Sequence, residues 1–148
     1  MISETLNLIL ADDDEDDCLL FKEVLDELND FVHLTTVHDG IQLMQLLSNE
    51  SAELPFALFL DLNMPRKNGF ESLYAIKLNE KLRHLPVIIF STSINQEVVD
   101  QVYKSKANYF ICKPNDYTLL KKVILKALTL LKIEHRVQPS RENFVLTI

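Results

Sequence analysis

The run Phe56-Ala57-Leu58-Phe59-Leu60 is apolar without interruption and stops at Asp61. A run this short has the length of a strand. A strand with no polar face is buried on both sides, as in parallel sheets held between layers of helix. Elsewhere, short apolar runs alternate with amphipathic stretches, the rhythm of strands joined by helical crossovers. Leu6 to Ala11 predicts the first strand, and a helix follows from about Asp14 to Leu28, with Leu20, Val24 and Leu28 expected on its inner face. Val32 to Val37 reads as the second strand, Asp39-Gly40 as a turn and Ile41 to Leu47 as the second helix. Beyond the loop Asn63-Met64-Pro65-Arg66-Lys67-Asn68-Gly69, a third helix reaches about Leu78. Pro86 opens the fourth strand, Val87 to Phe90, and Asn95 to Ser105 reads as a weaker helix. Tyr109 to Cys112 is the fifth strand. The last helix, about Asp116 to Lys132, sets Leu120, Ile124, Leu128 and Leu131 on one side.

At 148 residues, one domain with a substantial core is expected rather than two. Apolar content of 47% and charged content of 25% are ordinary globular values, which sets aside disorder, coiled coil and collagen. The formal net charge of -7 argues against nucleic acid as a partner, because phosphate binding relies on clustered Lys and Arg. Basic residues within Lys104 to Lys106 and Lys121 to Lys126 read as solvated helix faces. No stretch approaches the ~20 apolar residues of a membrane span, and Met1-Ile2-Ser3-Glu4 lacks the positive start of a secretory signal. A cytoplasmic protein without membrane contact is expected. Cys18 and Cys112, far apart and each amid apolar residues, read as buried free thiols rather than a disulfide or metal site. His33, His38, His84 and His135 share no ligand spacing, and Gly40 and Gly69 are too few for a nucleotide-binding glycine loop.

Where the first predicted strand ends, six acids follow in a row, Asp12 to Asp17. Like charges at contact distance repel by roughly 1 kcal/mol per pair in water, so something positive is expected nearby. Asp14, Glu15, Asp16 and Asp17 are accounted for by a helix start, whose dipole favours negative side chains. Asp12 and Asp13 are left for the strand tip. Ligands of open α/β sheets bind beyond the carboxyl ends of the strands, so what the other strands deliver there matters. The third delivers Asp61, the fourth Ser91 and Thr92, and the fifth Lys113 followed by Pro114.

Asp12-Asp13, Asp61 within DLNMPRKNG, Ser91 after PVIIF, and Lys113-Pro114 together resemble the receiver domain of two-component response regulators, of the stand-alone chemotaxis-regulator type. The likeness spans about residues 5 to 132 and rests on four separate strand ends. It implies a flavodoxin-like, doubly wound α/β fold with strand order 2-1-3-4-5 and five helices, carried by residues 1–132, with residues 133–148 as a C-terminal tail. It also implies roles. Asp61 would be the phosphoacceptor, taking a phosphoryl group from a sensor histidine kinase or a histidine phosphotransfer protein. Asp12, Asp13, Asp61 and the backbone carbonyl of Asn63 would hold Mg²⁺, a hard cation suited to oxygen ligands. Lys113 would supply a mobile positive charge and Ser91 a hydrogen bond to the phosphoryl oxygens. Lys113-Pro114 would be cis.

Counting back three from Lys113 puts Phe110 at the aromatic switch position, with Tyr109 beside it, so a switch built on a tyrosine hydroxyl is not expected. The output face, binding a downstream protein target or a second copy as a homodimer, would be the fourth helix, fifth strand and fifth helix, including Val102, Tyr103, Tyr109 and Lys122. Lys106 stands where many receivers carry Gly, and neither Asn63 nor Ser93 offers a base for hydrolysing the phosphoaspartate. Two alternatives stand beside this reading. A degenerate receiver would act as a constitutive interaction or dimerisation module, but no pocket residue is missing. An aspartate-nucleophile phosphatase would need a second Asp two residues after Asp61, where Asn63 stands. The end of the chain, Phe144-Val145-Leu146-Thr147-Ile148, has strand composition and could add to a sheet edge, although a loosely ordered terminus is the simpler expectation.

Overall fold

The computed structural model describes residues 5–28, 32–49, 53–92 and 94–147. Ser93, the Met1 to Glu4 segment and Ile148 lie outside the described residues. Five strands, β1 (Leu6–Ala11), β2 (Val32–Val37), β3 (Ala57–Leu60), β4 (Val87–Ser91) and β5 (Tyr109–Cys112), alternate with five helices, α1 (Glu15–Glu27), α2 (Gly40–Leu47), α3 (Gly69–Leu78), α4 (Gln96–Lys104) and α5 (Tyr117–Ile133). All neighbouring strands pair in parallel, in the order β2-β1-β3-β4-β5. This is the flavodoxin-like arrangement that the family resemblance implied.

The period-2 alternation of a strand divides its apolar residues between two cores. Ile9, Ala11, Leu58, Leu60, Val87, Ile89 and Phe110 face one side, with Leu43 of α2, Leu73 and Ile76 of α3 and Val99 and Val102 of α4. Leu8, Leu10, Phe59, Ile88, Phe90 and Ile111 face the other, under α1 and α5. There Phe21 meets Phe59 edge-on at 4.9 Å and Phe90 at 5.7 Å, a geometry that favours aromatic pairs. The inner face of α1 is Cys18, Phe21, Val24 and Leu25, and Leu20 is exposed, contrary to the expected stripe. Phe21 is the reason: the largest side chain in the helix takes the sheet-facing position, which turns Leu20 outward.

Each of the five helices starts on an Asp or Asn whose side chain accepts backbone N–H groups, namely Asp14, Asp39, Asn68, Asn95 and Asp116. At the end of α4, Ala107 N–H donates to Val102 O and Lys106 N–H to Tyr103 O, closing a Schellman turn. Lys106 sits in the left-handed position of that turn with φ 76°. The turn typical of glycine is therefore kept, with a lysine in it. Lys77, at the C-terminal end of α3, donates its ammonium to Leu85 O at 2.8 Å and Arg83 O at 3.3 Å, and burial lowers its pKa to about 8.

The segment after α5 is folded onto the sheet, which corrects the expectation of a loose terminus. His135 stacks on Phe56 at 4.6 Å. Gln138 donates to the carbonyls of Tyr103 and Ala107, the Tyr103 hydroxyl donates to Pro139 O, and Arg141 pairs with Asp100. Phe144 is fully buried, and the Phe110 backbone donates to Phe144 O and accepts from Leu146 N–H, so Val145 lies opposite Phe110 as a parallel bridge beyond β5. The cause is local. A free strand edge and the apolar run Phe144-Val145-Leu146 satisfy each other, Phe144 entering one core and Leu146 the other. Val102 and Tyr109 are buried and Tyr103 is committed to the tail, so these three do not form the open output surface expected of them.

Candidate functional site

Three of the expected residues hang on the last rungs of the sheet. Asp12 N–H donates to Val37 O at 3.0 Å, Asp61 N–H to Ala11 O at 2.9 Å and Lys113 N–H to Ser91 O at 2.7 Å. The ladder thus fixes where each backbone stops being strand, and the side chains that follow share one rim. Gly69 keeps that rim compact, because a Cβ there would collide with the carbonyl of Asp61.

Asp12 is fully buried, Asp61 nearly so, and Asp13 is exposed at the mouth. One carboxylate oxygen from each comes within 4.8 Å of the others. Among the described residues this trio is the one acidic cluster so arranged, and three converging hard oxygen donors fit a divalent cation. Asn63 contributes its backbone N–H, which donates to Asp61 Oδ1 at 3.3 Å. The Lys113 side chain is only 8% exposed, and its ammonium reaches Asp12 Oδ2 at 2.6 Å, Asp17 Oδ2 at 2.9 Å and Asp61 Oδ2 at 3.5 Å. It also lies over the Phe90 ring, 5.1 Å from the centroid. Part of the positive charge called for by the acidic run is therefore this lysine.

Burial pulls the Lys113 ammonium downward, but its hydrogen bonds to Asp12 and Asp17 and the charges of Asp12 and Asp61 outweigh that pull and hold it above the ordinary lysine range. Burial pushes Asp12 up to about 6, against the hydrogen bonds it receives from Lys113 and from Asp14 N–H. An anion this desolvated favours a proton or a cation.

Ser91 ends β4 buried beside this group, opposite Cys112 in the ladder and joined to Lys113 through its carbonyl. Phe110 is not at the rim. It is fully buried in the core beneath α4, tilted against Phe144 at 6.4 Å. The Lys113-Pro114 bond is not cis, contrary to expectation. The strand pairing carries on through Lys113 N–H and the chain turns only at Asn115, so nothing here offsets the intrinsic trans preference of about 0.5–1 kcal/mol.

Two contacts went unread in the sequence. Asp17, assigned only to the start of α1, reaches across to Lys113; its place three residues after the Asp14 cap, on a helix that begins at the rim, is the signal. His38 donates Nδ1–H to Asp12 O at 3.0 Å, and the signal there is its position just beyond β2, next to β1.

The sequence pattern of the response regulator receiver domain matches residues 8–125. Response regulator Rcp1 of Synechocystis sp. is 31% identical over 121 residues, covering 79% of this chain and 82% of that protein. The chemotaxis protein CheY of Pseudomonas aeruginosa is 25% identical over 121 residues, covering 82% of this chain and 94% of its own. Among solved structures, the phosphorylated cyanobacterial phytochrome response regulator RcpA superposes with a TM-score of 0.79 at 30% identity, covering 93% of this chain and 100% of its own. The Mn²⁺-bound form of Rcp1 gives 0.76 at 29%, covering 91% and 99%. With the strand order, the acidic trio and the rim lysine all in place, the match over residues 8–125 means that the chain belongs to the response regulator receiver domain family, a family of signalling modules.

Proposed function

We propose that Asp61 is a phosphoacceptor for a sensor histidine kinase or a histidine phosphotransfer protein, and that the modified protein signals by binding a downstream protein. The observation that carries this is the setting of Asp61: a nearly buried carboxylate with Asn63 N–H on one oxygen and the Lys113 ammonium 3.5 Å from the other. A carboxylate oxygen attacks the phosphorus of a phosphohistidine, the P–N bond breaks, and the imidazole leaves with the electron pair while an acyl phosphate forms. Lys113 offers the transferring group a positive charge from inside the site, and the Ser91 hydroxyl offers it a hydrogen bond. Asp12, Asp13 and Asp61, with the Asn63 carbonyl, would hold Mg²⁺, which when bound neutralises charge on the phosphoryl oxygens. Phe110 would repack after phosphorylation without a hydroxyl to bond.

In this reading residues 1–132 are the receiver and residues 133–148 a tail, and the protein works in the cytoplasm. The chain accelerates its own modification and acts on no outside substrate. A phytochrome-type kinase is the first donor to try, because the RcpA relative is a phytochrome response regulator. A homodimer through α4, β5 and α5 would form over the tail that lies there. Incubation with Mg²⁺ and acetyl phosphate, followed by intact-mass measurement, tests the proposal. The wild type gains one phosphoryl group and Asp61→Asn gains none; equal labelling of the two would refute it.

A further inference from the structure

An ammonium has three N–H donors, and that of Lys113 has three carboxylates within reach. Two of these, Asp12 and Asp61, belong to the converging acidic trio, and the third, Asp17, does not. Asp17 arrives from the first turn of α1, its own N–H tied to the Asp14 cap at 3.2 Å, and its side chain is 29% exposed. Its carboxylate therefore acts on the lysine rather than on a cation held by the trio. The distances are unequal in an informative way. Asp12 and Asp17 hold the ammonium at 2.6 and 2.9 Å, whereas Asp61 stands at 3.5 Å, so the lysine is held closer to these two than to the group it must serve.

We infer that Asp17 is a positioning residue: it holds Lys113 on the α1 side of the site while Asp61 is unmodified, and yields it to the phosphoryl group. The inference rests on the phosphoacceptor role proposed for Asp61. A phosphoryl group brings nearly two negative charges and three strong acceptor oxygens, so it competes for the donor that Asp17 uses. Asp12 is the poorer candidate to let go, because it is fully buried and its Oδ2 would lose the donor it has, while Asp17 can turn to water. A bond present before transfer and given up during it holds the reaction back.

The test titrates the protein with beryllofluoride in the presence of Mg²⁺, followed by ¹⁹F NMR, and in parallel times phosphoryl uptake from acetyl phosphate. Asp17→Asn is expected to bind the mimic more tightly and to label faster, each by roughly three- to tenfold, the equivalent of one partly exposed hydrogen bond. Asp17→Glu, which keeps the carboxylate, returns both values toward wild type. Asp16→Asn removes the same charge one residue away, with no contact to Lys113, and moves neither. In a Lys113→Gln background, Asp17→Asn has no effect. An Asp17→Asn protein indistinguishable from wild type overturns the inference, and so does an equal gain in the Lys113→Gln background. A wild type that neither labels nor binds the mimic overturns the phosphoacceptor reading and this inference with it.

Discussion

Single residues carry strain and charge that the fold tolerates. Lys106 holds φ at 76°, a region that costs an L residue roughly 1–2 kcal/mol and costs glycine nothing sterically. After allowance for the added freedom of glycine in the unfolded chain, Lys106→Gly should stabilise the protein by about 1 kcal/mol, read as a higher urea midpoint at unchanged slope. Lys77 gives a pH signature. Its pKa is lowered by burial from 10.5 to about 8, so between those values the unfolded chain binds more protons than the folded one, and stability rises with pH across that window. Below pH 8 both states are protonated and the burial cost is present in full. Lys77→Met should remove this rise, seen as the pH dependence of the difference in urea midpoints between wild type and variant; a constant difference from pH 7 to 11 would contradict it. Sequence marked Lys106 as unusual but could not say whether the turn would change or the residue would bend to it. The two hydrogen bonds of the Schellman turn outweigh one strained φ.

At the scale of elements, the strands were legible because uninterrupted apolar runs such as Phe56 to Leu60 admit few other readings, and helix starts because Asp and Asn precede them. Which side of α1 faces inward was not legible, since Leu20 and Phe21 compete for it and only packing decides. The tail was undecided for a similar reason: its strand composition is local, but the edge it needs belongs to β5, more than thirty residues earlier. Phe144 anchors that union, packed at 5.0 Å on Tyr103 and 6.4 Å on Phe110. Truncating a buried phenylalanine costs about 3–5 kcal/mol. Phe144→Ala should therefore lower stability by that amount in urea unfolding, and amide exchange at Phe110 and Leu146 should accelerate ahead of exchange in β1 and β3. A loss under 1 kcal/mol would mean the tail contributes little to holding this side of the sheet.

For the whole molecule, the topology gathers carboxylates that repel one another, and Lys113 balances only part of that charge. A cation that binds the folded chain and not the unfolded one stabilises it by RT ln(1 + [L]/Kd), about 1.4 kcal/mol at ten times Kd. Mg²⁺ should accordingly raise the melting temperature of the wild type by a few degrees and leave that of Asp13→Asn nearly unmoved. The convergence itself was readable, because parallel strands end on one rim and each apolar run announces its last residue. Distances were not: that Lys113 would bridge Asp12 and Asp17 more closely than Asp61 depends on where α1 starts, which sequence gives only to within a residue or two.

The bridge at Val145 makes the two margins of the sheet unlike. Among the described residues β2 has no outer neighbour, while β5 is hemmed by the chain's own end. A sheet with two bare margins can add copies without limit, as fibres do, whereas one with a single bare margin closes after joining one other copy. Residues 144–146 thus occupy the Phe110 rung of one margin and, among the described residues, leave β2 as the margin open along its length.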